Sequence, residues 1–186
     1  MRMTHIAKDS RMSPNVSFRR ATTDDLEDVV EIWVTGTTAA TGGHHLTDDE
    51  IAGAREIFHQ RIKSQDETFS VWIATAHGQV IGWHSLQPCE VNPLRMRRVA
   101  ASSTYVRAKM RLGRVGVDLA RHVMDEASKT QLEYLYAECL SSNHAVIRML
   151  MSTGWQRVGA LPSLPRAPHF LLELWAYPIP KPVMES

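Results

Sequence analysis

The sequence predicts a mixed α/β (α+β) domain in which helices pack on one sheet. Three observations lead to this prediction. Several segments carry apolar residues at helical spacing, whereas others are short β-rich runs bounded by turn residues. The segments follow one another closely over residues 16–177, without a repeat or a linker. Their order is β-α-α-β-β-β-α-β-α-β-β, so strands and helices share one layered unit.

The first part of the chain predicts a strand followed by two helices. The run 16–21 has the composition of a strand, and Thr23 then caps a helix with acidic residues in its first turn. The segment 35–45, rich in glycine and threonine, predicts a loop before Thr47 caps a second helix. The apolar residues at helical spacing are Leu26, Val29, Val30 and Trp33 in the first helix, and Ile51, Ala54, Ile57, Phe58 and Ile62 in the second.

The remainder of the chain alternates strands with helices. Two β runs are joined by His77-Gly78, a pair typical of a tight hairpin turn. A third run, 103–106, precedes a glycine-bearing turn and an amphipathic helix from about Val115. The other predicted elements are strands over 69–76, 79–86, 132–140, 155–158 and 169–177, and a helix over 143–153.

Composition indicates an ordinary globular protein, with 44% hydrophobic and 22% charged residues in a chain of 186. No run has the length of a membrane span, and residues 1–15 lack the apolar stretch of a signal peptide. Cys89 and Cys139 have neither disulfide nor metal-ligand spacing, which favours a reducing compartment and hence the cytoplasm. We expect a disordered leader over 1–15, one domain over 16–178 and a proline-rich tail over 179–186, with no metal.

Charge is distributed unevenly along the chain. The net charge of +1 argues against nucleic acid as a partner. Residues 91–117 nevertheless contain no acidic residue and carry seven basic ones: Arg95, Arg97, Arg98, Arg107, Lys109, Arg111 and Arg114. In a neutral protein such a cluster fits either a solvated basic face or a site for a compact polyanion.

The strongest chemical signal lies in the stretch 105–119, where a β run ends in a basic turn and a helix begins. A helix start presents unpaired backbone N–H groups and the positive end of the helix dipole, both of which favour a phosphate. Gly113 and Gly116 let the backbone approach an anion closely, and Arg111 and Arg114 can add charge-assisted hydrogen bonds. The stretch therefore predicts an anion-binding turn.

Several strings in this sequence resemble the GCN5-related N-acetyltransferase (GNAT) family, most nearly its phosphinothricin-acetyltransferase-like branch. They are Phe18-Arg19-Arg20-Ala21-Thr22, Trp72-Ile73-Ala74 with Gly78-Gln79-Val80-Ile81-Gly82, Ser103-Thr104-Tyr105-Val106, Arg111 to Gly116, and Asn143 with Gly154-Trp155 and Val158-Gly159. The resemblance extends from residue 18 to about residue 175. It implies a GNAT-type, mostly antiparallel central sheet that is splayed in the middle. It also implies transfer of an acetyl group from acetyl-CoA to a primary amine by direct attack in a ternary complex.

The resemblance further implies which residues hold acetyl-CoA. The backbone of Thr104, Tyr105 and Val106 would pair with the pantetheine amides as an added strand. Asn143 would cap its helix and touch the cofactor near the thioester. The pyrophosphate would be held by the N–H groups of Arg111, Leu112, Gly113, Arg114, Val115 and Gly116.

The sequence departs from the family pattern at three positions. Arg114 stands where the family loop has its first glycine, Leu150 where many relatives carry a general acid, and Ala101 where the phosphinothricin branch has a carboxylate. A thiol with a pKa of about 8.5 leaves readily as the thiolate, so the missing acid is tolerable. An alkylamine with a pKa of about 10 must lose a proton, so another residue or a water chain is expected to accept it.

For this proton acceptor we consider His84 and then Glu90. Both lie on or just after the central strand that faces the thioester in this family, and His84 titrates near neutral pH. His84 alternates with Trp83, so one of the two side chains faces the cleft. The alternative interpretations are a structural imidazole for His84 and a solvated carboxylate for Glu90.

Three functions fit the sequence. The first is an N-acetyltransferase acting on a small-molecule amine, with an amino-acid-like acceptor favoured by the branch resemblance. The second is a catalytically degenerate acyl-CoA-binding or sensing module, which the three departures favour. The third is an acetyltransferase acting on a protein N-terminus. His44, His45 and His169 are the candidate acceptor-binding residues. The alternative interpretation is that these histidines belong to ordinary loops without a binding role. The sequence is also compatible with a homodimer.

Overall fold

The computed structural model describes residues 16–89, 97–107, 114–162 and 171–181, and confirms the predicted order of elements. The strands are β1 (Val16–Arg20), β2 (Ser70–Ala76), β3 (Gln79–Pro88), β4 (Val99–Val106), β5 (Tyr134–Leu140), β6 (Gln156–Leu161) and β7 (Leu172–Pro178). The helices are α1 (Leu26–Ala40), α2 (Asp48–Lys63), α3 (Val115–Ser128) and α4 (His144–Ser152). The predicted leader and the predicted site residues Glu90, Arg111, Leu112, Gly113 and His169 lie outside the described residues.

The seven strands of the described residues form one open sheet in the order β1-β2-β3-β4-β5-β7-β6. Of these strands, only β4 and β5 pair in parallel, and the other neighbours are antiparallel, so the predicted mostly antiparallel sheet is confirmed. Two apolar clusters cover its faces. Residues of α1 and α2 pack on one face, and residues of α3 and α4 on the other. None of the helices in the described ranges is long and apolar enough to cross a membrane.

Helix α1 is longer than the sequence predicted. The segment 35–45 was expected to be a loop, but α1 continues to Ala40, and the chain turns at Gly42 and Gly43, whose φ angles are positive. Thr41 donates its hydroxyl to the carbonyl of Thr37 at 2.8 Å. A Cβ atom on Gly36 would lie 2.7 Å from Cδ1 of Tyr105. The glycine and threonine residues that predicted a loop therefore form the end of a helix that packs closely on β4.

The predicted proline-rich tail begins by packing against the fold. Ile179 is buried, and its N–H donates to the carbonyl of Glu133 at 2.8 Å. Lys181 donates from Nζ to the carbonyl of Thr130 at 2.6 Å. The first residues after β7 thus cover the segment that leads into β5.

Asp25 fixes the start of α1 to β1. The residue is 6% exposed, and Arg19 donates two hydrogen bonds of 2.8 Å to its carboxylate. The Thr22 N–H donates a further bond of 2.7 Å. Although burial opposes ionisation, the hydrogen bonds from Arg19 and Thr22 hold the pKa of Asp25 below its ordinary value.

Asp25→Asn is expected to lower the free energy of unfolding at pH 7 by about 2 kcal/mol, because charge-assisted bonds are lost. The folded-state pKa lies below the unfolded value of about 3.9, so this stabilisation is present above that pH and is lost as pH falls. Urea unfolding at pH 7 and pH 3 should show a smaller penalty at pH 3. Asp24→Asn, at an exposed neighbouring position, is the control. An equal loss of unfolding free energy at pH 7 and at pH 3 would contradict the lowered pKa of Asp25.

Candidate active site

Strands β4 and β5 separate soon after they meet. Their register pairs three residues of each strand, from Val99 with Tyr134 to Ala101 with Tyr136. Beyond that point, a cavity of about 740 Å³ opens between the two strands. The end of α1 lines it on one face of the sheet, and α4 lines it on the other. The sheet is therefore split in the middle, as the resemblance implied.

The backbone of β4 presents hydrogen-bonding groups to this split. The Arg107 N–H donates to the carbonyl of Ile81 on β3 at 2.9 Å. Because N–H directions alternate along a strand, the backbone groups of Tyr105 also face β3, and those of Thr104 and Val106 face the split. Strand β5 has no described pairing with Thr104 or Val106. An extended chain with amide groups can add there as a strand.

The start of α3 lies directly behind the end of β4. A Cβ atom on Gly116 would lie 3.2 Å from Cγ2 of Val106 and 3.6 Å from Sδ of Met149, so glycine permits this close approach. Arg114 precedes the helix with 70% of its side chain exposed, and its Nη2 lies 3.9 Å from Asp118. Arg114 therefore extends into solvent, and the first N–H groups of α3, which have no partner within the helix, lie next to β4.

Among the described basic residues of the stretch 91–117, Arg97, Arg98 and Arg107 form close ion pairs with other elements of the fold. Arg97 pairs with Asp66 at 2.9 Å, and Arg98 pairs with Glu133 at 2.5 Å. Arg107 binds two carboxylates of α1, those of Asp28 and Glu31, at 2.7 and 2.6 Å. These three arginines attach β4 to neighbouring elements and are not arranged as one anion-binding surface.

His84 lines the floor of the cavity from β3. Trp83 points to the helices α1 and α2 and donates from Nε1 to the carbonyl of Val29 at 3.0 Å, so His84 points to the opposite face. His84 is 1% exposed, with Nε2 3.0 Å from Ser102 Oγ and Nδ1 2.8 Å from Thr104 Oγ1. Burial lowers the pKa of His84 to about 3, so the imidazole is neutral at physiological pH.

Two functional candidates on β5, Tyr136 and Glu138, were missed by sequence reasoning. Both line the cavity on the α1 face, because Leu135, Ala137 and Cys139 turn towards the α3 face. The Tyr136 hydroxyl donates to Glu138 Oε1 at 2.6 Å. Burial, together with this hydrogen bond, raises the pKa of Tyr136. The available signal was the alternation of polar and apolar residues on a predicted strand that leads to Asn143.

The far wall of the cavity is formed by β5 and α4. Asn143 caps α4, and its Oδ1 accepts the N–H of Val146 at 3.3 Å. Leu150, at the position of the missing acid, is 3% exposed and belongs to the apolar cluster. Burial raises the pKa of the Cys139 thiol to about 11, so Cys139 is not a thiolate nucleophile at neutral pH.

The predicted acceptor residues His44 and His45 lie in the turn between α1 and α2, where both are exposed. On this side the described cavity lining ends at Thr41, three residues before His44. Their predicted role in acceptor binding stays a prediction. Glu173, on β7, forms an ion pair with Arg157 at 3.1 Å.

A sequence profile described as an acetyltransferase (GNAT) domain matches residues 15–156. The chain belongs to the GNAT acetyltransferase family. The split sheet, the glycine at the start of α3 and the helix capped by Asn143 lie within the matched range. No curated protein sequence matches this GNAT chain.

Solved structures of GNAT proteins share the fold. A ribosomal-protein-alanine N-acetyltransferase from Brucella melitensis is 23% identical, with a TM-score of 0.72 over 87% of this chain and 99% of that one. A GCN5-related N-acetyltransferase from Kribbella flavida is 20% identical, with a TM-score of 0.71 over 88% and 97%. A phosphinothricin acetyltransferase from Sinorhizobium meliloti, solved with acetyl-CoA, is 16% identical, with a TM-score of 0.73 over 91% and 94%.

The buried His84 should make folding sensitive to mild acid. Its folded-state pKa lies below the unfolded value of about 6.5, so the stabilisation is complete above that pH and is lost as pH falls towards 3. Between pH 6.5 and 4.5 this loss amounts to roughly 2–3 kcal/mol. In His84→Asn, which does not titrate, urea unfolding should show a flatter dependence on pH. His122→Asn, at a half-buried position on α3, is the control. If the free energy of unfolding of His84→Asn depended on pH as steeply as that of the wild-type protein, the assignment of a neutral His84 would be contradicted.

Proposed function

We propose that this chain is an N-acetyltransferase that transfers the acetyl group of acetyl-CoA to the primary amine of a small molecule, by direct attack in a ternary complex. The observation that carries the proposal is the cavity through the split between β4 and β5. The cavity exposes backbone groups of β4 to an incoming extended chain. On the α1 face it ends at the carboxylate of Glu138. Two substrates can therefore meet from opposite faces of the sheet.

The residues around the split fit acetyl-CoA. Thr104 and Val106 offer backbone donors and acceptors to the pantetheine amides, and Asn143 lies in the same cavity. The N–H groups at the start of α3 favour the pyrophosphate, and Gly116 keeps them close to β4. When bound, acetyl-CoA supplies an activated acyl group with a thiolate leaving group. The proposed role of Arg114 is limited to its backbone and long-range charge, since its side chain is largely exposed.

We assign Glu138 as the group that accepts the proton of the amine. Its carboxylate is on the face opposite α3, and the Tyr136 hydroxyl orients it with a bond of 2.6 Å. An amine that arrives protonated first loses one proton to solvent. As the neutral nitrogen bonds to the acetyl carbon and the C–S bond breaks, Glu138 takes the second proton from nitrogen and CoA leaves as the thiolate. The neighbouring Tyr136 stays protonated, because its pKa is raised, and keeps donating to Glu138.

His84 was the first candidate from the sequence for this proton, and its geometry supports a different role. Burial lowers the pKa of His84 to about 3, because it disfavours the charged imidazolium, so His84 is a poor acceptor for the amine proton. Both ring nitrogens also have hydroxyl partners, Ser102 and Thr104. We propose that His84 is a positioning residue, which holds the Thr104 side chain under the β4 backbone that faces the split.

The second candidate function, an acyl-CoA-binding module without catalysis, rests on Leu150 and Ala101. Both line the cavity at positions where relatives carry an acid or a carboxylate. Acetyl-CoA binding without CoA release on any amine would support that function. An acetyltransferase for a protein N-terminus shares the proposed chemistry and would release CoA with peptides but not with small amines.

Saturating acetyl-CoA is expected to stabilise the protein, by about 2.7 kcal/mol at 100 times its Kd. Gly116→Val should abolish most of this stabilisation, because the new side chain would collide with Val106 where α3 meets β4. The measurement is the shift in Tm with and without ligand, for each variant against its own baseline. Gly53→Val on α2, where a Cβ would meet no neighbour within 4 Å, should keep the full shift. No shift in the wild-type protein would overturn acetyl-CoA as the co-substrate.

Glu138→Gln should lower kcat/KM for an accepted amine by roughly 10²- to 10⁴-fold, because the proton acceptor is lost. The Kd for acetyl-CoA should stay unchanged. His84→Asn, assayed beside it, should lose much less activity. The reverse result, with the larger loss in His84→Asn, would restore His84 as the proton acceptor.

A further inference from the structure

A second cavity, of about 340 Å³, lies on the α1 face of the sheet at the end of α2. The elements around it are α2, the turn into β2, the end of β3 and the start of β4. Its lining residues are Arg61, Ser64, Gln65, Asp66, Phe69, Gln87, Pro88 and Arg97. Of the described lining residues, two are cationic and one carries a carboxylate, and they face one small space.

Arg61 has no carboxylate partner among the residues that the structure describes. Its guanidinium carbon lies 5.8 Å from the centre of the Phe58 ring, and the residue is half-buried. Among the described residues, no carboxylate lies within 4 Å of its guanidinium nitrogens. Burial lowers the pKa of Arg61, which reflects the cost of holding this cation away from water. An anion that enters the cavity would offset that cost.

The positive charge of Arg97, by contrast, is already balanced by the carboxylate of Asp66. Its Nη2 donates to Asp66 Oδ2 at 2.9 Å and lies 3.4 Å from Thr68 Oγ1, and its guanidinium carbon lies 5.4 Å from the Phe69 ring centre. Asp66 is itself fixed, because its Oδ1 accepts the N–H groups of Thr68 and Phe69. The Arg97–Asp66 pair thus forms a fixed wall of the cavity, and Arg61 is the cation left for an incoming group.

The register of the sheet places this cavity beside the proposed proton acceptor. Gln87, which lines the cavity, is opposite Ala101, and Ala101 is opposite Tyr136. Residues directly opposite each other share a face, so all three lie on the α1 face. Two strand spacings separate Gln87 from Tyr136, which is roughly 10 Å. The Arg61 cavity and the Tyr136–Glu138 pair are therefore neighbouring sites on one surface.

We propose that the Arg61 cavity binds a carboxylate of the acceptor while the acceptor amine reaches Glu138. The inference rests on the proposed function and specifies its acceptor. Because Gln87 and Tyr136 are roughly 10 Å apart and Glu138 lies two residues further along β5, the amine and the carboxylate must be several bonds apart. An α-amino group, adjacent to its own carboxylate, is too close to span them. The acceptor class is an extended ω-amino carboxylate.

The test compares CoA release with 8-aminooctanoate, its terminal amide and alanine. Wild-type protein should prefer 8-aminooctanoate to the amide by about tenfold or more in kcat/KM, because a charge-assisted bond is lost in the amide. Alanine should be the poorest acceptor. Arg61→Gln should remove the preference, and Arg61→Lys should keep part of it. Lys63→Gln, an exposed charge removal on the same helix, is the matched control.

Equal kcat/KM for 8-aminooctanoate and its amide in the wild-type protein would overturn the inference and leave the proposed function standing. Calorimetry with N-acetyl-8-aminooctanoate tests the cavity without turnover. Binding to the wild-type protein that is lost in Arg61→Gln would support the carboxylate site even if no amine is acetylated, in which case the proposed function alone would fail. Equal binding to both proteins, or none to either, would contradict the site.

Discussion

The early end of the pairing between β4 and β5 is the constraint on which the rest of this molecule depends. Backbone donors and acceptors at a sheet edge cost free energy when they are left without partners. Three paired positions are followed by a gap in which Thr104 and Val106 turn their backbone groups towards the cavity. An incoming extended chain satisfies them, so the same feature that weakens the sheet creates the binding site.

The contacts on either side of the gap explain why it does not close. Tyr105 stacks on Trp83 with ring centres 4.7 Å apart and packs against Gly36, while Arg107 binds two carboxylates of α1. These contacts hold the end of β4 to β3 and α1. Strand β5 pairs with β7 along all seven of its residues. Each strand is thus held by its outer neighbour, and moving either inward would break its ion pairs or ladder hydrogen bonds.

Sequence patterns predicted the features that depend on neighbours along the chain, and they failed where distant residues decide. The order of elements, the split and the cap by Asn143 follow from periodicity, turn residues and the family resemblance. The length of α1 could not be predicted, because Gly36 looks like a loop residue in the sequence and its role, to leave room for Tyr105 on β4, depends on a distant contact. The pKa of His84 depends on burial between β3 and β4, and the Tyr136–Glu138 pair depends on which face of β5 meets the cavity.

Burial also determines which ionisable groups of the cavity are charged at neutral pH. His84 is neutral because its pKa is lowered, and Cys139 is neutral because its pKa is raised. Tyr136 stays protonated, which leaves Glu138 as the carboxylate among the described lining residues. A protonated amine approaching from the α1 face is therefore attracted to Glu138, and an anion is favoured at the start of α3, behind the split. This separation of charge orients the two proposed substrates towards each other across the sheet.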